Sequence, residues 1–398
     1  MAQPANTTLW SRRQFLSTTF LGGLALAQPL AWGQDKEKPA GPKKPATNIA
    51  DAEKTPKKPW SLPGKFPGKV VEVHNPKVTQ DKHVDTSHLS DMFQVGLEAL
   101  TKTSYAKAFQ QFFTPKDIVG IKVNPVGAGT ISTHTELVHK IIAWLTASGL
   151  PKKNIVIWDR FDYMLHEAGF TKENFPGIRV FGAQTMDTDL LSGKRTDNGG
   201  WLTKEGTHVS LPNFDQKAFY YADIDAPTSE QYLHQHVVNG KYSYFPKLVS
   251  QELTKIINVA TFKNTGNGIS MATKNLGYGA ICNTGRLHQA LFFDVCAEVL
   301  GLPPIRDKLV LNITDGLIGQ YEGGPMPAPQ YTYTYNRLFF ATDPFALDRV
   351  CHDLMVAKRK EQKIKVNEHP IFSAYFDYAQ RLGLGITDKK RISHVTLS

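Results

Sequence analysis

The chain has 398 residues, 41% hydrophobic and 21% charged, with three cysteines and a formal net charge of +10. That apolar fraction excludes wholesale disorder, and three cysteines exclude a disulfide scaffold or a four-thiolate cluster. The charge is uneven: eleven Lys/Arg oppose four acids in residues 1–69, which leaves +3 on the other 329 residues. The body therefore has no basic stripe, and no nucleic-acid partner is expected.

Ser11-Arg12-Arg13-Gln14-Phe15-Leu16 is a twin-arginine pattern, followed by an apolar stretch to about Leu30. The run is short for a membrane span and ends in small residues, as a cleaved export signal does. Cleavage after Ala27 or after Gly33 fits equally well. Residues 1–33 thus read as a signal peptide for the twin-arginine export machinery. The expected location is the periplasm or another exported one, with no stable membrane span after cleavage. Because this route carries folded proteins, it raises the expectation of a bound cofactor, whose identity stays open. Residues 34–69 are rich in Lys, Pro and Ala and poor in large apolar residues, and read as a disordered linker.

Residues 70–398 read as an α/β domain with a mainly parallel sheet flanked by helices. Asp117–Asn124 is a buried strand stopped by Pro125. Thr133 and Glu136 match a capping box, and Leu137, Val138, Ile141, Ile142 and Leu145 form one helix face. Gly149 ends that helix, and Asn154–Trp158 is the next strand, giving a parallel βαβ unit. Further strands are read at 255–260, 309–314 and 337–342, with helical patterns at 286–300 and 345–357. The stretch 161–250 is irregular, polar and Tyr-rich, and reads as an inserted subdomain.

In a parallel sheet the carboxyl ends of the strands share one edge, where ligands usually sit. Each strand here ends in polar residues: Lys122 and Asn124, Asp159 and Arg160, Lys263 and Asn264, Asp315, and Asp343. Together they predict a crevice for a ligand bearing phosphate or carboxylate groups, with a divalent metal as a candidate cofactor. The glycine-rich stretch 263–288 adds Lys274, Arg286 and His288.

The runs IVGIKVN (118–124), FKNTGNGISMATKNLG (262–277), TDGLIGQYEGGP (314–325), TDPFALD (342–348) and LGLGITD (382–388) occur in this order. Together they resemble the bacterial and archaeal family known as domain of unknown function 362, over roughly residues 115–398. The resemblance adds Asn275, Glu322 and Asp348 to the site without supplying a reaction. Relatives of this kind include proteins with Cys-rich iron–sulfur segments. Cys282, Cys296 and Cys351 show no CxxC spacing, so an iron–sulfur cluster is not expected in this chain.

Other motifs carry less. There is no phosphate-loop motif, and Gly127-Ala128-Gly129 lacks the third glycine of a dinucleotide fingerprint. Gly268–Ala272 resembles a nucleophile elbow around Ser270 only loosely. His234 and His236 lack a clear third metal ligand. Cys296 and Cys351 read as packing thiols, and Tyr331–Tyr335 as a strand.

The leading expectation is an exported enzyme that binds an anionic small molecule or cofactor through Lys122, Asn124, Lys263, Lys274, Asn275 and Arg286. Asp159, Asp315 and His288 are the catalytic candidates, and Asp315, Asp343, Asp348 and Glu322 the metal candidates. A non-catalytic periplasmic ligand-binding protein and an electron-transfer accessory are the alternatives.

Overall fold

The computed structural model describes residues 44–185, 188–189, 194–195, 203, 207–225, 236–238, 240–288 and 290–398. The expected export signal at 1–33, residues 34–43 of the expected linker, and His234 lie outside the described residues.

The strands used below are β1 (Lys69–His74), β2 (Val119–Lys122), β3 (Ile155–Phe161), β4 (Arg179–Gln184), β5 (Phe214–Tyr221), β6 (Tyr242–Pro246), β7 (Lys255–Thr265), β8 (Gly268–Ile269), β9 (Leu309–Gln320), β10 (Thr332–Ala341) and β11 (Ser393–Leu397). The helices are α1 (Ile49–Glu53), α2 (Thr86–Thr101), α3 (Thr135–Ala147), α4 (Asp162–Glu167), α5 (Ala272–Gly277), α6 (Asp294–Gly301), α7 (Pro344–Glu361) and α8 (Ala374–Arg381). The main sheet runs β11-β1-β10-β9-β7-β2-β3-β4. Strands β9, β7, β2, β3 and β4 are mutually parallel. Strand β10 runs antiparallel to both its neighbours, β9 and β1, and β11 runs parallel to β1. The expected mainly parallel α/β sheet is present.

Both faces of the sheet are covered, because its strands are apolar on both sides. Ile121, Ile157, Ile257 and Val259 face α2 and α3, through Phe93, Leu97, Ile141 and Leu145 among others. Trp158, Ile256, Ala260 and Phe262 face α5, α6, α7 and α8, through Leu276, Val299, Phe345 and Phe376. The βαβ unit β2–α3–β3 pairs Val119 with Ile155 and Lys122 with Trp158. Among the described residues no helix is long and apolar enough to cross a membrane.

Four expectations differ from the structure. Residues 44–69 are packed rather than a free linker. Lys44 reaches Glu298 at 2.9 Å, Thr47 bridges to Ala222, and Arg306 Nη1 donates to the Ala52 carbonyl at 2.8 Å. Ala52 and Leu62 are buried. The segment is held by distant polar partners that its own composition cannot reveal. The inserted stretch is shorter than 161–250, since α4 and β4 carry the sheet on to Gln184; among the described residues that follow, the β5–β6 hairpin and a two-residue ladder at 188–189 and 194–195 stand apart from the main sheet. Finally, Thr133 does not cap α3. Its hydroxyl accepts from the Asn124 amide at 2.9 Å and donates to the Val259 carbonyl at 3.0 Å, so His134 takes the N-cap position. The helical pattern at 286–300 also tightens: regular helix begins only at Asp294, after a 3₁₀ turn at Gly285–Leu287.

Candidate functional site

The carboxyl ends of β2, β3 and β7 lie side by side, and the polar residues that terminate them meet there. Lys122 closes β2 and is 1% exposed. Its ammonium pairs with the Asp159 carboxylate of β3 and donates to the Val123 carbonyl at 2.8 Å and Asn275 Oδ1 at 3.0 Å. Those three acceptors use all three ammonium donors. The Trp158 ring lies 5.6 Å away. Burial pulls the Lys122 pKa down, and the Asp159 charge and hydrogen bond oppose that. The contact depends on a glycine: a Cβ on Gly279 would sit 2.7 Å from Lys122 Nζ.

Behind Lys122 runs a chain of buried amides. Asn275 Nδ2 donates to Asn258 Oδ1 at 2.8 Å, Asn258 Nδ2 to Asn312 Oδ1 at 3.0 Å, and Asn312 Nδ2 to the Thr342 carbonyl at 3.2 Å. Satisfied networks of this kind fix a unique side-chain arrangement. They hold α5 against the sheet and so position both Asn275 and Lys274.

Lys263, near the end of β7, is fully buried and donates to Asn124 Oδ1 at 3.0 Å and the Val126 carbonyl at 2.7 Å. Both acceptors are neutral. Desolvation, followed by the nearby Lys274 charge, lowers its pKa to about 7, with Asp159 opposing. Lys274 has no oxygen acceptor among the described residues. Its Nζ lies 4.8 Å from the Tyr278 ring centroid and 5.2 Å from that of Phe292, and desolvation lowers its pKa to about 8. Arg160 follows Asp159 and donates to Gln184 Oε1 at 3.1 Å and Thr284 Oγ1 at 2.6 Å. Desolvation lowers its pKa to about 10, so it keeps its charge at neutral pH. His288 Nδ1 donates to the Thr284 carbonyl at 2.9 Å. Burial, then the Lys274 charge, lowers its pKa to about 3, and the imidazole stays neutral.

A second pair adjoins these cations. Asp315 Oδ2 accepts from the His134 amide and from His134 Nδ1, both at 2.8 Å. Desolvation disfavours the imidazolium, but the Asp315 charge and hydrogen bond prevail, and the His134 pKa is raised. Thr133 links this pair to the lysines, because its backbone amide donates to the Asn124 carbonyl at 2.9 Å.

Several expected site residues serve elsewhere. Arg286 donates to the Ala222 and Ile224 carbonyls, each at 3.0 Å, and to Ser243 Oγ at 2.9 Å; it pins the β5–β6 hairpin. Asp343 follows β10, which is antiparallel, so it falls at the opposite edge of the sheet. There it accepts from the amides of Gly68, Phe345, Ala346 and Ile386 and caps α7. Asp348 accepts from the Ala272 and Thr273 amides and the Thr273 hydroxyl. Glu322 pairs with Arg359. Desolvation pushes both Asp343 and Asp348 up to about 6.

The proposed metal set Asp315, Asp343, Asp348 and Glu322 is therefore not brought together. Among the described residues no three His, Cys, Asp or Glu form a group that could hold a metal ion. These carboxylates do not fit a divalent cation, because backbone amides, His134 and Arg359 already occupy their oxygens. The three thiols are free and buried; desolvation raises Cys282 to about 11 and Cys296 to about 12.

Residues 218–353 match the family model described as domain of unknown function (DUF362). This agrees with the runs at 262–277, 314–325 and 342–348, and the description names no activity. The DUF362 segment contributes Lys263, Lys274, Asn275, His288 and Asp315; Lys122, Asn124, His134 and Asp159 lie before it. No curated protein matches the chain. A solved protein structure from Thermotoga maritima is similar at 10% identity with a TM-score of 0.33, covering 69% of this chain and 59% of that one. The chain thus spans less than two thirds of that protein's length.

Sequence reasoning passed over His134 as a site residue, because the helix start was read from Thr133 and Glu136 alone. It also passed over Gly279, whose role appears only once Lys122 is seen lying against it.

Proposed function

We propose that this crevice binds an anionic small molecule. One observation carries the reading: Lys122, Lys263, Lys274 and Arg160 gather at one sheet edge, where Asp159 and Asp162 are the buried carboxylates beside them and Asp315 is taken by His134. Buried cations in excess of buried anions are costly, and a bound anion relieves that cost. Lys122 has an acceptor for each ammonium proton, whereas Lys263 has two acceptors for three protons and Lys274 has no oxygen acceptor among the described residues, so these two are the groups left to meet a ligand. Asn124 and Asn275 hold the lysines rather than the ligand. Delivery of the protein to the periplasm by the twin-arginine route rests on Arg12, Arg13 and the apolar run after them.

The test is calorimetric titration with phosphate, sulfate, malate and citrate at fixed ionic strength. Saturable binding of at least one dianion is expected, weakened on the order of tenfold or more in Lys263→Met or Lys274→Met. Absence of binding by all four, or binding indifferent to both substitutions, rejects the reading.

A further inference from the structure

The three lysines of the crevice differ in what surrounds their nitrogens. Lys122 spends all three ammonium protons on acceptors, one of them the Asp159 carboxylate. With all three bonds made, its nitrogen has no electron pair to offer. Lys263 is buried and has two neutral acceptors, which leaves one ammonium proton for a ligand. Lys274 alone of the three has no oxygen acceptor among the described residues. It is only partly buried, and two aromatic rings, Tyr278 and Phe292, flank its nitrogen. An amine held among apolar walls beside other cations is the arrangement that makes lysine a nucleophile near neutral pH.

We infer that Lys274 is an amine nucleophile that forms a Schiff base with the carbonyl of an anionic oxo acid, whose carboxylate is held by Lys263. This rests on the anion-binding reading above and adds the substrate class and the covalent step. The unprotonated amine attacks the carbonyl carbon and a C–N bond forms. The carbonyl oxygen then leaves as water, carrying the two amine protons, and a C=N bond remains. No oxidant, reductant or metal is needed. The carbonyl class follows from the balance, since an amine condenses with a carbonyl reversibly and without a co-reactant. The carboxylate follows from Lys263: it holds Asn124 at the end of the neighbouring strand, Lys122 on that strand holds Asn275 next to Lys274, and the Lys274 charge bears on Lys263. The lowered proton affinity of Lys274, caused by desolvation, agrees with this role.

The experiment is borohydride trapping on the wild-type protein, with pyruvate and separately with acetone, followed by peptide mapping. Melting temperature is measured with pyruvate and with malate, which carries no carbonyl outside its carboxylates. The expected result is reduction of a pyruvate adduct onto Lys274, on the order of tenfold above any other lysine, with little acetone adduct. Lys274→Arg should lose the adduct yet keep the malate-induced shift, because the charge remains. Stabilisation by both anions without an adduct at Lys274 overturns the inference and leaves the anion-binding reading standing. Equal trapping of acetone and pyruvate without anion stabilisation keeps the nucleophile and overturns the anion-binding reading together with the oxo-acid assignment. An adduct spread over many lysines with no stabilisation overturns both.

Discussion

Lys122 and Asp159 form a buried ion pair across the carboxyl ends of two adjacent parallel strands, β2 and β3. Their side chains are 1% and 7% exposed, so neither charge is relieved by water. Removing one partner of such a pair strands the other in a low-dielectric site, at a typical cost of about 3–5 kcal/mol. Asp159→Ala is expected to destabilise the protein by that amount in urea unfolding. A double change, Lys122→Met with Asp159→Leu, should recover much of the loss, because it removes both desolvation penalties. A single substitution that costs less than about 1 kcal/mol would show that water reaches the pair.

The close approach of Lys122 to Gly279 supplies a second check. A methyl group at Gly279 would lie 2.7 Å from Lys122 Nζ and would also press on the Asn275 carbonyl oxygen. Gly279→Ala should therefore displace Lys122 or unwind the end of α5, at a cost of about 1–3 kcal/mol by the usual price of overpacking. The same substitution should weaken anion binding, since α5 carries Lys274. Gly240→Ala is the control for backbone strain without contact: its φ is +99° and a Cβ there would meet nothing within 4 Å. Anion affinity should survive in that variant.

The His134–Asp315 pair gives a pH prediction. The folded protein holds the His134 proton more tightly than the unfolded chain does, because Asp315 outweighs the desolvation of the imidazolium. Its stabilisation is complete below the unfolded histidine value near 6.5 and is lost as pH rises through the raised folded value. Histidine NMR titration should therefore place His134 above 6.5, and Asp315→Asn should bring it down. The stability difference between wild type and Asp315→Asn should shrink on the alkaline side of that titration. A wild-type His134 titrating below 6.5 contradicts the pairing.

How much of this was legible in the sequence varies by residue. The strand ends at Lys122, Asp159 and Lys263 could be read because a parallel sheet sends all its carboxyl ends to one edge, whatever the order of the strands. Asp343 misled for the same reason: an apolar run shows that 337–342 is a strand but not which way it points, and β10 is antiparallel. Arg286 misled because a buried guanidinium looks alike in sequence whether it meets a ligand or, as here, three oxygens of a hairpin. The packing of residues 44–69 was invisible because its anchors, Arg306 and Glu298, lie some 250 residues away and leave no local pattern. His134 is the instructive omission. A histidine at the N-cap of a helix is ambiguous until its partner is known, and Asp315 enters from another strand.

Asp343 allows the structural and metal readings to be separated. Its two oxygens accept from four backbone amides, at 2.7–3.1 Å, that join α7 to the segments entering β1 and β11. Asp343→Ala strands those donors and removes an N-cap, and should cost about 2–4 kcal/mol. It should leave anion affinity within about twofold, because Asp343 lies at the edge of the sheet away from the lysines. Addition of magnesium or manganese should not raise the melting temperature through these carboxylates. A metal-induced rise that disappears in both Asp315→Asn and Asp343→Asn would restore the metal site.

The last prediction concerns the ligand cations themselves. Lys263 and Lys274 titrate at about 7 and about 8 in the ligand-free protein, both chiefly through desolvation. An anion binds their charged forms, so its affinity should be highest below pH 7 and should fall as pH rises through 7 and 8. Three other titratable groups around Lys274 titrate outside that range: His288 is already neutral, Asp348 ionises lower, at about 6, and Cys296 stays protonated to about 12. Proton uptake should accompany binding at pH 8, seen as a calorimetric heat that varies with the ionisation enthalpy of the buffer. Lys274→Arg should shift the decline to that of Lys263 alone, because the guanidinium keeps its charge. An affinity unchanged between pH 6 and pH 9 would mean that neither lysine meets the anion, and the site would then have to be sought away from this edge of the sheet.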